Sequence, residues 1–151
     1  MFKLFAILAC TLLYLVPGFN KNSNAACAFQ NNLSSGYIDR GDSIEFIFGD
    51  QKIIKIGLMD IDLDKRWSEI KKVNLAGDFN GWSPNNVSFV MKQKANKIYT
   101  LAVSKKIIGL KGEVHKFKFV VNEKYWIEPP KDALNKITGS DHNTNLYLKI
   151  L

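Results

Sequence analysis

The chain has 151 residues and a mass of 17.1 kDa, room for one domain and little more. Its net charge is +7, yet no basic run exceeds two residues. The lysines therefore read as a solvated surface, and the charge pattern argues against a nucleic-acid footprint.

Met1-Phe2-Lys3 is a short basic start, residues 4–16 are almost continuously apolar, and Pro17-Gly18 break that run. Small residues follow at Ser23, Ala25 and Ala26. This layout predicts a secretory signal peptide over residues 1–26 and a secreted or periplasmic protein. The apolar run is shorter than the ~20 residues that a spanning helix needs, so no membrane association is expected after cleavage. Removal of Lys3 and Lys21 with the leader lowers the net charge to +5. Cys10 leaves as well, so Cys27 stands alone and no intrachain disulfide remains. Lipidation of Cys27 is the weaker alternative, because Asn24 holds the place where an aliphatic residue belongs.

Residues 27–42 are polar and small and read as a loose leader to one domain over residues 43–151. Residues 43–48 alternate, with Ile44, Phe46 and Phe48 on one face of a strand. Residues 52–58 read as a second strand, and residues 60–71 as a long loop or one short helix. Asp60-Ile61-Asp62-Leu63-Asp64 begins like a calcium loop, but Lys65 replaces its glycine and Lys71 its terminal glutamate, so it reads as a solvated turn. Further strands are expected from Val73 up to the turn that starts at Gly77, and at residues 87–92, 97–103, 114–121 and 145–150. The fourth of these puts Phe117, Phe119 and Val121 on one face and Lys116 and Lys118 on the other, exposed one. Many short strands with frequent turn signals and no long helix indicate an all-β, antiparallel β-sandwich.

The most informative passage is Val73-Asn74-Leu75-Ala76-Gly77-Asp78-Phe79-Asn80-Gly81-Trp82. It reads as a strand that enters a tight polar turn and displays an indole just past it. Later come Phe89-Val90-Met91, Tyr99-Thr100-Leu101, Gly109-Leu110-Lys111-Gly112, Phe117-Lys118-Phe119-Val120-Val121-Asn122, Trp126 and Asn143. In this order the motifs resemble the glycogen- and starch-binding modules of carbohydrate-binding module family forty-eight. Those modules occur in AMP-activated protein kinase beta subunits and in branching and debranching enzymes. The resemblance covers roughly residues 72–151 and implies an immunoglobulin-like sandwich of the early-set type.

It also implies a function, the binding of α-1,4-glucans such as glycogen, starch and maltooligosaccharides. A pyranose has an apolar face of C–H groups that an indole can cover while the hydroxyls stay wet. Trp82 and Trp126 each lie beside a polar turn, where such stacking is open to them. By the resemblance Lys118 donates to glucan hydroxyls, and Asn143 bonds them through its amide, which carries both donors and an acceptor. Asn145 and Thr138 are alternatives for that last role, because the register of residues 138–145 is ambiguous. Two departures stand out. The hairpin Asn122-Glu123-Lys124-Tyr125 is one residue longer than the family's and could turn Trp126 away from Trp82. Residues 51–70 have no counterpart, and Trp67 within them is expected to pack.

No paired-carboxylate cleft, nucleophile elbow or phosphate loop is legible, so catalysis is not expected. His115 and His142 lack neighbours at metal-ligand spacing, so neither a metal nor a cofactor is expected. The expected partners are an α-glucan and, through it or beside it, a carbohydrate-active enzyme or other protein. The competing function is an immunoglobulin-like protein-interaction domain that has lost its sugar site. A shared, accessible face for the two indoles favours the first reading.

Overall fold

The computed structural model describes residues 35–49, 53–57, 59–95 and 97–151. All of them belong to the compact unit Asn32–Leu151. The expected signal peptide and Cys27 lie outside the described residues. Among the described residues no helix is long and apolar enough to cross a membrane.

Eleven strands occur among the described residues. The first group is β1 (Ser35–Asp39), β2 (Ser43–Gly49), β3 (Ile53–Ile56) and β4 (Met59–Asp62). The second is β5 (Val73–Gly77), β6 (Lys92–Ala95), β7 (Ile98–Ser104) and β8 (Val114–Val121). The last three are β9 (Tyr125–Trp126), β10 (Lys136–Thr138) and β11 (Thr144–Lys149). One sheet has the order β1-β2-β7-β6 and a second β10-β11-β8-β5 with β9 also on β8, β3 and β4 form a separate two-stranded hairpin, and every pairing is antiparallel. The protein is an all-β antiparallel sandwich.

Alternation explains the core. Ile44, Phe46 and Phe48 of β2 are fully buried and face Phe117 and Phe119 of β8. The ring centroids of Phe46 and Phe117 stand 5.1 Å apart, and those of Phe48 and Phe119 5.4 Å. Leu146, Leu148 and Ile150 close the same core, as their period-two spacing predicts. Burial of side chains this size stabilises by about 1.5–3 kcal/mol each.

Three expectations need correction. Residues 27–42 are not wholly a loose leader, because β1 pairs with β2 along five residues, from Ser35 opposite Phe48 to Asp39 opposite Ile44. Residues 87–92 do not form a strand. Val87–Phe89 is a 3₁₀ turn capped by Asn86, whose side chain accepts from Ser88 N at 3.0 Å and whose carbonyl accepts from Phe89 N at 3.0 Å. Such local side-chain bonds compete with a strand ladder. Residues 60–71 are neither one loop nor one helix: Asp60-Ile61-Asp62 lies in β4, followed by the helical turn Leu63–Arg66 and the 3₁₀ turn Trp67–Glu69. The apparent calcium loop is thus divided among the end of β4, a helical turn and a 3₁₀ turn. Trp67 packs on Tyr99 with ring centroids 6.0 Å apart, the packing role expected of it.

The edge of β8 that positions the candidate site is split. Residues 114–117 of β8 pair with β11, and Val120 and Val121 pair with β9. β5 occupies the opposite edge along residues 117–121. Lys118 therefore stands where the partner of β8 changes from β11 to β9.

Candidate functional site

Trp82 is placed by the turn that precedes it. The Asn80 amide accepts from Gly77 N at 2.9 Å and donates to the Leu75 carbonyl at 3.0 Å, which folds the chain back on the end of β5. Gly77 is required there, since a Cβ would lie 2.6 Å from the Lys116 carbonyl oxygen. Asp78 secures the turn to β8, accepting from Lys116 N at 2.9 Å and meeting His115 Nδ1 at 3.0 Å. Phe79 anchors it from below by stacking on Phe89 at 5.5 Å. Trp82 itself has φ 57°, and its N–H donates to the Gly77 carbonyl at 2.8 Å. A left-handed tryptophan costs about 1 kcal/mol or more, so the turn imposes this position against local preference.

Trp126 is placed by the hairpin after β8. Asn122 and Glu123 have φ 53° and 58°, the pair of positive angles that matches the twist of two antiparallel strands. Asn122 fixes that hairpin from outside, accepting from Lys71 N at 2.8 Å and donating to the Glu69 carbonyl at 2.8 Å. Trp126 lands opposite Val120, so it shares the outer sheet face with Lys118. The extra hairpin residue does not turn it away. The two indole centroids are 6.4 Å apart with their planes inclined by 40°, and both rings are half-buried.

A cleft of about 450 Å³ opens beside these rings. Trp82, Lys118, Trp126 and Asn143 all line it, so the four residues singled out in the sequence meet in one place. Asn145 lines it too, whereas Thr138 is occupied with Thr144, their hydroxyls 3.0 Å apart. Asn143 is oriented by Asp141, whose Oδ2 accepts from the Asn143 amide at 2.8 Å and whose Oδ1 accepts from its backbone N–H at 3.1 Å. These two bonds, the side-chain one foremost, hold the Asp141 carboxyl below the ordinary carboxylate range.

Lys118 departs from expectation. It does lie on the outer face, but it is only 6% exposed. Its Nζ donates to Glu128 Oε1 at 2.7 Å. The covering chain is the segment beyond β9, which is held in turn by the β3–β4 hairpin: Glu128 N donates to the Lys55 carbonyl at 2.8 Å. Ile56 and Gly57 of that hairpin form another wall of the cleft.

Sequence reasoning missed Glu128, Asp141 and the hairpin wall. Glu128 stands two residues after Trp126, and strand parity could have pointed to it. Nothing in residues 53–62 announces that this hairpin folds against the site. Among the described residues no group of three or more His, Cys, Asp or Glu side chains could hold a metal ion. The cleft offers two stacking surfaces, amide donors and acceptors, and one ion pair, a set suited to a polyhydroxylated ligand. No protein-family model matches the chain, and no curated protein matches its sequence.

Proposed function

We propose that this domain binds α-1,4-glucans without catalysis, after export and removal of residues 1–26. The observation that carries the reading is the pair of half-buried indoles, 6.4 Å apart and inclined by 40°, on the wall of a cleft lined by Lys118, Asn143 and Asn145. Neither indole belongs to the hydrophobic core, which supports this reading over a protein-interaction domain that has lost its sugar site. Inclined rings suit a helical glucan, whose successive apolar faces also turn relative to one another. The cleft volume falls within the ~300–1,000 Å³ common for small-ligand sites. The resemblance to glucan-binding modules rests on the same residues and supports the same ligand class. A carbohydrate-active enzyme is the protein partner that such a module would serve.

The test is affinity electrophoresis of the mature chain through gels containing glycogen or amylose. Retarded migration is expected, and because glucans are uncharged the retardation should survive added salt. Indifference to glycogen, amylose and β-cyclodextrin alike would overturn the reading. Mass analysis of the protein recovered from its host tests the export step, and a mature chain beginning at Met1 would exclude it.

A further inference from the structure

The floor of the cleft is an ion pair. The Lys118 side chain is 7% exposed and the Glu128 side chain 27%, so the carboxylate is the more open member. Glu128 is fixed at both ends, by Lys118 through its side chain and by Lys55 through its backbone. Its place is thus set before any ligand arrives, which lowers the ordering cost of binding. Chemical capacity also remains. An ammonium has three donors and a carboxylate about four acceptor sites, and the contact between them uses one of each. Adjacent ring hydroxyls on a sugar need just such a neighbouring donor and acceptor.

We propose that Glu128 is a specificity-determining contact residue, its carboxylate accepting from one hydroxyl of a vicinal pair while Lys118 donates to the other. The inference rests on the glucan reading and deepens it, because it selects sugars that carry two adjacent free hydroxyls. The β3–β4 hairpin, through Lys55, is then the part that aims the carboxylate.

Calorimetric titration of the mature domain with maltotriose, and with maltotrioses deoxygenated at C2 or at C3, tests this. Glu128→Gln keeps a carbonyl for Lys118 but removes the opposing charge, so it should lower the thermal midpoint while the domain stays folded at the temperature of the titration. It should weaken maltotriose binding about tenfold, as loss of a charge-assisted hydrogen bond does. Against at least one deoxy analogue the variant and wild type should bind alike, since the hydroxyl that Glu128 serves is gone. Equal binding of maltotriose by variant and wild type would overturn the inference alone. So would the same loss with both deoxy analogues, which would mark Glu128 as a prop for the hairpin. If the wild type binds no maltotriose and no glycogen, both this inference and the glucan reading fall.

Discussion

In the inward row of β8, Phe117 and Phe119 meet Phe46 and Phe48 of the opposite sheet and Val121 joins the same core, while the outward row meets separate pieces of chain. The backbone N–H of Lys116 is tied to the turn after β5 through Asp78, the Lys118 side chain to Glu128, and Val120 faces Trp126 across the ladder. Phe119 and Lys118 are neighbours in sequence, and both are nearly buried, at 2% and 6%. Their burial has different origins. For Phe119 it follows from strand period and the hydrophobic effect, and it stabilises the fold. For Lys118 it follows from segments that arrive from elsewhere in the chain, and a buried charge is tolerated only because a carboxylate comes with them. The hydrophobic core packs on one face of the sheet, and the proposed site lies on the other.

The largest effects should separate the two faces. Phe119→Ala removes a ring from the core between Phe48 and Phe117, and chemical denaturation should show a loss of about 3–5 kcal/mol. A loss below about 1 kcal/mol would mean that the inner face carries less than its packing implies. Trp126→Ala should do the reverse. Glucan binding is expected to weaken by about 1–3 kcal/mol, by analogy with planar ligands stacked on aromatic rings, while the thermal midpoint changes little. A variant that loses its fold and its binding together would erase the distinction between the faces.

The legibility of the molecule divides along the same line. Ile44, Phe46, Phe48, Phe117, Phe119, Leu146 and Leu148 were placed from alternation alone, because one period decides which side of a strand is apolar. Trp82 and Trp126 are legible as indoles beside polar turns, whereas Asn143 is pointed to only by the resemblance, with Asn145 and Thr138 as alternatives. Their meeting in one cleft was not legible, because it depends on β9 and β11 sharing one edge of β8. Nor was the burial of Lys118, which requires the β3–β4 hairpin, a contact between residues 55 and 128 that no local pattern encodes. β1 was hidden differently. Tyr37 and Ile38 favour strand, but Gly36 and Asp39 beside them do not, and so short a signal becomes a strand only by pairing with β2.

Lys118→Met probes the intermediate case, a polar residue whose burial is structural and whose head group faces the cleft. Loss of the charge leaves Glu128 without its partner, but that carboxylate keeps partial access to water. Stability should fall by about 1–3 kcal/mol, short of the cost of breaking a fully buried pair. Glucan binding should fall as well, so unlike Phe119→Ala and Trp126→Ala this variant should move both readouts. Unchanged stability would show that the hairpin and the segment beyond β9 hold together without the pair.

The smallest effect concerns Asp141, at the open rim of the same face. It touches Asn143 through two hydrogen bonds, and these keep its carboxyl ionised below the ordinary carboxylate range. Because the folded pKa is depressed, the orienting contact is fully present above the ordinary value, about 4, and disappears only as pH falls through the lowered one. Asp141→Ala should therefore bind maltotriose about two- to threefold more weakly than wild type, the modest change expected when an exposed hydrogen bond is lost. The ratio of the two affinities is the useful quantity, since protonation of any other carboxylate affects both proteins alike. That ratio should stay constant from neutral pH down to about pH 4 and close only below it. If it closes at higher pH, the Asp141 carboxylate is not what orients Asn143, and the rim is organised by the backbone of the β10–β11 turn instead.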